Sequence, residues 1–129
     1  MTKIDFWTNE EKRILNPKLF SETAENLARE ISEVDSKKNK RTQLRKFYDE
    51  VLRLNSLAQG NPEDWDNILP YVNMLVAKAA YAQGRGLISK DFLKFIKHSI
   101  KQISEREDLE IFANFFEAFM GFYRVYRSS

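Results

Sequence analysis

Apolar positions recur at helical spacing along nearly the whole chain. Asn16-Pro17 reads as an N-cap followed by a first-turn proline. After it Leu19, Leu27 and Ile31, with Thr23 and Ala24 between them, mark an amphipathic helix reaching about Val34. Glu22, Glu25, Glu30 and Glu33 flank its wet side. A second helix is predicted from Thr42, or one turn earlier, to Gln59. There Leu44, Phe47, Val51, Leu54 and Ala58 share a face, and Gly60 stands where a C′ glycine is expected. Asn61-Pro62 with Glu63 and Asp64 opens the next helix. Proline lacks an N–H and crowds the preceding turn. Pro70 is therefore expected to divide this region into a short helix at 62–69 and a longer one from Pro70 to Gln83, ended by Gly84-Arg85-Gly86. Ser89 caps a fourth helix, about 90–104, that buries Phe92, Phe95, Ile96, Ser99 and Ile103. The last, about 108–126, gathers Phe112, Phe115, Phe116, Phe119, Phe122, Tyr123 and Tyr126 on roughly a third of its circumference. That stripe reads either as core or, with Tyr123 and Tyr126, as a surface for a protein partner. Residues 1–15 carry no clean period: Phe6, Trp7, Ile14 and Leu15 pack on the body, or the segment is mobile. The prediction is a single all-α domain, a compact bundle of about five helices.

Composition narrows the chemistry. A chain of 129 residues that is 43% hydrophobic and holds ten Phe can build one core. Four Gly and three Pro are too few for the many turns of a β-sandwich. The absence of Cys excludes disulfides, Cys-ligated metal and thiol catalysis, and agrees with a reducing cytoplasm. No apolar run is long enough for a membrane span and the N-terminus has no signal-like stretch, so a cytoplasmic protein without a membrane partner is expected. His98 is the only histidine and reads as an exposed helix residue, so no metal site is assigned. Asp64 and Asp66, two apart on a helix, diverge; Glu63 and Asp64 are explained as first-turn acids. There is no phosphate-binding glycine loop and no nucleophile elbow. No catalytic residue, cofactor or metal is assigned.

The net charge of +2 conceals a segregation. Residues 37–59 carry +5 and residues 89–104 carry +3, leaving −6 on the rest of the chain. Lys90, Lys94, Lys97 and Lys101 fall within roughly a 60° arc of one helix, away from Phe92 and Phe95. Like charges at this spacing cost an isolated helix about 0.2–0.5 kcal/mol per pair, so helix stability does not ask for them. On the second helix Arg41 and Arg45 share one stripe, and Lys46 and Arg53 a neighbouring one. Two such rows read as solvated faces or as a track for a polyanion, which needs several cations along one surface.

Three segments in order resemble a known family. They are Thr42-Gln43-Leu44-Arg45-Lys46-Phe47-Tyr48; Lys78-Ala79-Ala80-Tyr81-Ala82-Gln83-Gly84-Arg85 with Asp91-Phe92-Leu93; and Phe116-Glu117-Ala118-Phe119-Met120-Gly121-Phe122-Tyr123-Arg124. Over roughly residues 38–126 the chain resembles the small subunit of the type III-A CRISPR–Cas effector, the Csm complex. The resemblance implies a non-enzymatic helical protein of antiviral defence. In that family copies stack as a filament along the crRNA and its target single-stranded RNA, touching the RNA backbone and other subunits of the complex. By motif position it makes Arg45, Lys46, Lys78, Arg85 and Arg124 RNA-contact candidates; the charge pattern adds Arg41 and Lys94. The C-terminal segment departs from the family by carrying one base fewer. Two other readings stay open: a helix-turn-helix DNA-binding regulator, and a structural adaptor that binds no nucleic acid.

Overall fold

The computed structural model describes residues 2–128. Five α-helices follow a short N-terminal hairpin: α1 Ala24–Ser32, α2 Arg41–Gly60, α3 Trp65–Gly84, α4 Lys90–Lys101 and α5 Arg106–Tyr126. The expected helical class therefore stands. The long α5 packs on α1 along one side and α2 along another, while α3 joins α2 to α4.

Most of the stripe on α5 is core, with Phe122 and Tyr126 half-buried at its edge. Phe112, Phe115, Phe116, Phe119 and Tyr123 are all fully buried, which removes Tyr123 from any free docking surface. Phe92 and Phe95 enter the same cluster from α4, and Phe47 from α2 meets Phe92 at 5.6 Å between ring centres. Offset and edge-to-face aromatic pairs at such spacings add to the stabilisation from burial alone.

Three local features depart from the expected helices. Pro70 lies inside α3, which is unbroken from Trp65; only a single 3₁₀ turn, Pro62–Asp64, precedes it. The proline sits near the helix start, where it forfeits one hydrogen bond to the carbonyl of exposed Asp66. Burial of Ile68, Val72 and Leu75 on the continuous helix outweighs that loss. The first helix does not run unbroken from Pro17. A π-turn, Leu19–Thr23, comes first, with the Thr23 amide donating to the Lys18 carbonyl at 3.1 Å. The wider turn rotates the chain less per residue, so Leu19 arrives on the face of Leu27 and Ile31, and all three are fully buried. The fourth helix stops at Lys101, short of residue 104, and Ile103 is buried from the loop beyond it.

Residues 2–15 hold the small hairpin, with β1 Trp7–Asn9 antiparallel to β2 Ile14–Leu15. Ile4 and Phe6 are buried, Phe6 against Phe112, whereas Ile14 is half exposed. The Gln102 side chain accepts from the Phe6 amide at 2.9 Å and donates to the Ile4 carbonyl at 2.7 Å. One amide thus satisfies two backbone groups that have no strand partner there. Arg13 turns the hairpin at φ 56°, lies 4.2 Å from the Trp7 ring centre and bonds Asp108 at 3.0 Å. Asp108 is buried because it also closes the capping box at the start of α5.

Candidate nucleic-acid interface

The start of α2 is fixed by a knot of polar side chains around Asn39. This residue is fully buried at φ 57°, a left-handed conformation that asparagine tolerates. Its side chain donates to Ser89 Oγ at 2.8 Å and accepts from the Ser89 amide at 2.8 Å. Ser89 in turn accepts from the Phe92 amide as the N-cap of α4. The Tyr123 hydroxyl donates to the Asn39 carbonyl, and burial pushes that phenol up to about 12. Beside it, Arg127 spreads its guanidinium over the carbonyls of Ser32 (3.1 Å), Val34 (2.8 Å), Asp35 (3.3 Å) and Lys38 (2.6 Å). A cation at the end of α1 faces the negative pole of that helix. The loop between α1 and α2 is thereby bound to α4 and to the C-terminal segment, and the heading of α2 follows.

With α2 so placed, its outer face presents Arg41, Thr42, Arg45, Lys46 and Asp49. Together with Met120 and Arg124 of α5 they line a groove of about 320 Å³. A second groove of about 360 Å³ runs between α2 and α3; Gln43, Lys46, Glu50, Lys78, Tyr81 and Arg85 are among its walls. Lys46 lines both. Six of the seven candidates therefore lie in two adjoining grooves. Lys94 does not join them. It stands on α4 with Lys90, Lys97 and Lys101, all exposed, and Lys97 and Lys101 line a separate groove with Asn73 and Val76.

The bases differ in how far they are engaged. Arg41 donates to the Ser128 carbonyl at 2.8 Å, and Arg45 meets Asp49 at 3.4 Å in an exposed pair. Such a pair is worth no more than about 1 kcal/mol and yields readily to a phosphate. Arg85 lies over the Tyr81 ring, 5.6 Å from its centre. Glu50 is the strong acid of the site. Arg53 bonds it at 2.7 and 3.0 Å and Lys78 at 3.0 Å. The hydrogen bonds from Arg53, opposed by burial and joined by the one from Lys78, pull its carboxyl from 4.5 down to about 2.

Because the folded value lies below the unfolded one, Glu50 stabilises the fold fully above pH 4.5 and loses that effect as the pH falls toward about 2. Glu50→Gln is expected to flatten the acid limb of a stability-versus-pH curve in that window. A slope equal to the wild type would show that Arg53 and Lys78 do not hold this carboxylate.

Sequence reasoning missed Glu50, Asn39 and Arg127. The i, i+3 spacing of Glu50 and Arg53 was a visible signal for their pair. Nothing local announces Lys78 as a second partner, 28 residues away, or Arg127 as a clamp on a loop about 90 residues earlier. Among the described residues no group of three or more His, Asp or Glu is placed to hold a metal ion. His98 is exposed on α4. No helix among the described residues is long and apolar enough to cross a membrane. A family model described as Csm2 Type III-A matches residues 15–129. No curated protein and no solved structure matches the chain.

Proposed function

Because the chain belongs to the Csm2 family, small subunits of the type III-A CRISPR complex, we propose that it is the non-catalytic RNA-binding subunit of such a complex. It works in the cytoplasm, in antiviral defence, and stacks with further copies and other subunits along the crRNA and its target RNA. The observation that carries the reading is the meeting of Arg41, Arg45, Lys46 and Arg124 around one groove, continued through Lys46 to Lys78 and Arg85. These cations neutralise backbone phosphates and read no bases; sequence is read by pairing between guide and target. Lys94 and its row form a separate contact in this reading, and hydrolysis belongs to other subunits.

A subunit that neutralises about three phosphates binds single-stranded RNA weakly, and its affinity falls with salt at a log–log slope of roughly −0.7 per phosphate contact. Stacked copies then gain affinity through avidity without new contacts. Arg41→Ala/Arg45→Ala is expected to lower RNA affinity several-fold at low salt and to reduce the salt slope by about one to two contacts. Titration of single-stranded RNA, single-stranded DNA and duplex DNA at two salt concentrations tests this. Preference for duplex DNA with base discrimination supports the regulator instead, and no salt-dependent binding supports the adaptor. RNA binding as tight as wild type in the double variant, both alone and in the reconstituted complex, removes this groove from the site.

A further inference from the structure

The two grooves that share Lys46 differ in chemistry. The walls of the one between α2 and α5 are polar apart from Met120, which suits a phosphate backbone. The one between α2 and α3 has an apolar floor. Phe47, Leu75 and Ala82 are buried and Leu87 is half-buried, and all four line it. A phosphate resting there loses water and gains no partner. Tyr81 lines the same groove and is 69% exposed. The turn after α3 fixes this wall. Tyr81 and Arg85 are four residues apart at the helix end and share a face, with the guanidinium 5.6 Å from the ring centre. Gly86 takes φ 75°, which lets the chain reverse. The Leu87 amide then donates to the Ala82 carbonyl at 3.0 Å, closing the helix end. The Asn39 amide donates to the Leu87 carbonyl at 3.0 Å. The wall is thereby tied to the residue that also fixes the start of α2.

Charge orients what enters. Glu50 lines this groove and is held as a carboxylate by Arg53 at 2.7 Å and Lys78 at 3.0 Å. It repels an anion from the interior, while Lys46 and Arg85, both exposed, attract one to the rim. The fitting ligand is therefore flat and uncharged at one end and anionic at the other. A nucleotide of a single strand, base inward and phosphates outward, has that form. At about 360 Å³ the groove is at the small end of ligand pockets, which suits one nucleotide. We infer that the α2–α3 groove stacks one unpaired base of single-stranded RNA on Tyr81, with the flanking phosphates on Lys46 and Arg85. The inference rests on the RNA-binding reading above and adds a base contact to its phosphate contacts. Every base has a π-face, so the stack tolerates any of them and sequence is still not read here.

Tyr81→Ala, on an exposed helical position, is expected to lower the affinity of the full chain for single-stranded RNA about fivefold or more. The salt slope stays at the wild-type value, because no charge is lost. Tyr81→Phe keeps the ring and binds as the wild type does, and thermal unfolding is little changed in either variant. A strand of the same length built of abasic nucleotides isolates the base. The wild type binds it more weakly than RNA, and Tyr81→Ala loses most of that difference. Wild-type binding of both strands alike overturns the stack and leaves the phosphate contacts standing. So does a Tyr81→Ala variant as tight as the wild type, or a Tyr81→Phe variant as weak as Tyr81→Ala. Unchanged RNA affinity with impaired entry of Tyr81→Ala into the reconstituted complex also overturns it, and makes a protein subunit the occupant of the groove. A wild type without salt-dependent RNA binding overturns both the stack and the reading on which it rests.

Discussion

Phe95→Ala is expected to destabilise the fold by about 3–5 kcal/mol, the range for removing a large aromatic from a close-packed core. Phe95 is fully buried, and five other rings surround it. Their centres lie at 5.5 Å (Phe92), 5.9 Å (Phe112), 5.8 Å (Phe115), 5.3 Å (Phe116) and 5.4 Å (Phe119). Those neighbours sit on two helices that are themselves anchored, so they cannot collapse far into the space. The loss is a large fraction of the 5–15 kcal/mol that ordinarily holds a domain together. Urea unfolding measures it, as a lower midpoint at an unchanged slope. A cost below about 1.5 kcal/mol, the upper end for a volume-conserving swap, would mean that the cluster repacks and Phe95 is not its centre.

Arg127→Ala is expected to cost about 3 kcal/mol, by a different route. The carbonyls of Ser32, Val34 and Lys38 lose their donor at once, while that of Asp35 keeps the Lys38 amide, and each carbonyl left unsatisfied costs about 1–3 kcal/mol. Water rescues the outermost of them, which keeps the total near the lower end of the sum. Arg127→Lys recovers little, because a single ammonium cannot span the positions that the guanidinium fork reaches. The informative readout is hydrogen exchange at residues 33–40, which should accelerate more than exchange in the middle of α5. Uniform acceleration along the chain would show that Arg127 supports overall stability without holding this loop.

These two residues also mark what a sequence can disclose. Phe95 was legible because the alternation of apolar and polar positions along α4 names its buried face without reference to anything distant. The capping serine at its start was legible for the same local reason. Arg127 was not, since its partners are carbonyls some 90 residues earlier and a lone arginine near a helix end has no pattern. Pro70 misled in the other direction. The rule against proline inside a helix weighs one hydrogen bond, and here a continuous buried face outweighed it. The hairpin of residues 7–15 escaped because two strands of three and two residues are shorter than any period. In the candidate interface, the segregation of charge could be read from segment sums. The division into two grooves sharing Lys46, and the exclusion of Lys94 from both, depends on how α2 lies against α3 and α5.

The place of α5 in the bundle bears on how the protein is made. Both α1 and α2 rest chiefly on this last helix. While the ribosome is still adding residues 106–126, α1 and α2 lack the helix that covers most of their apolar faces. A core built on contacts so far apart in sequence forms late and all at once. Synthesis therefore passes through a stage in which earlier helices wait uncovered, and it is then that the nascent chain is most open to chaperones and most exposed to aggregation.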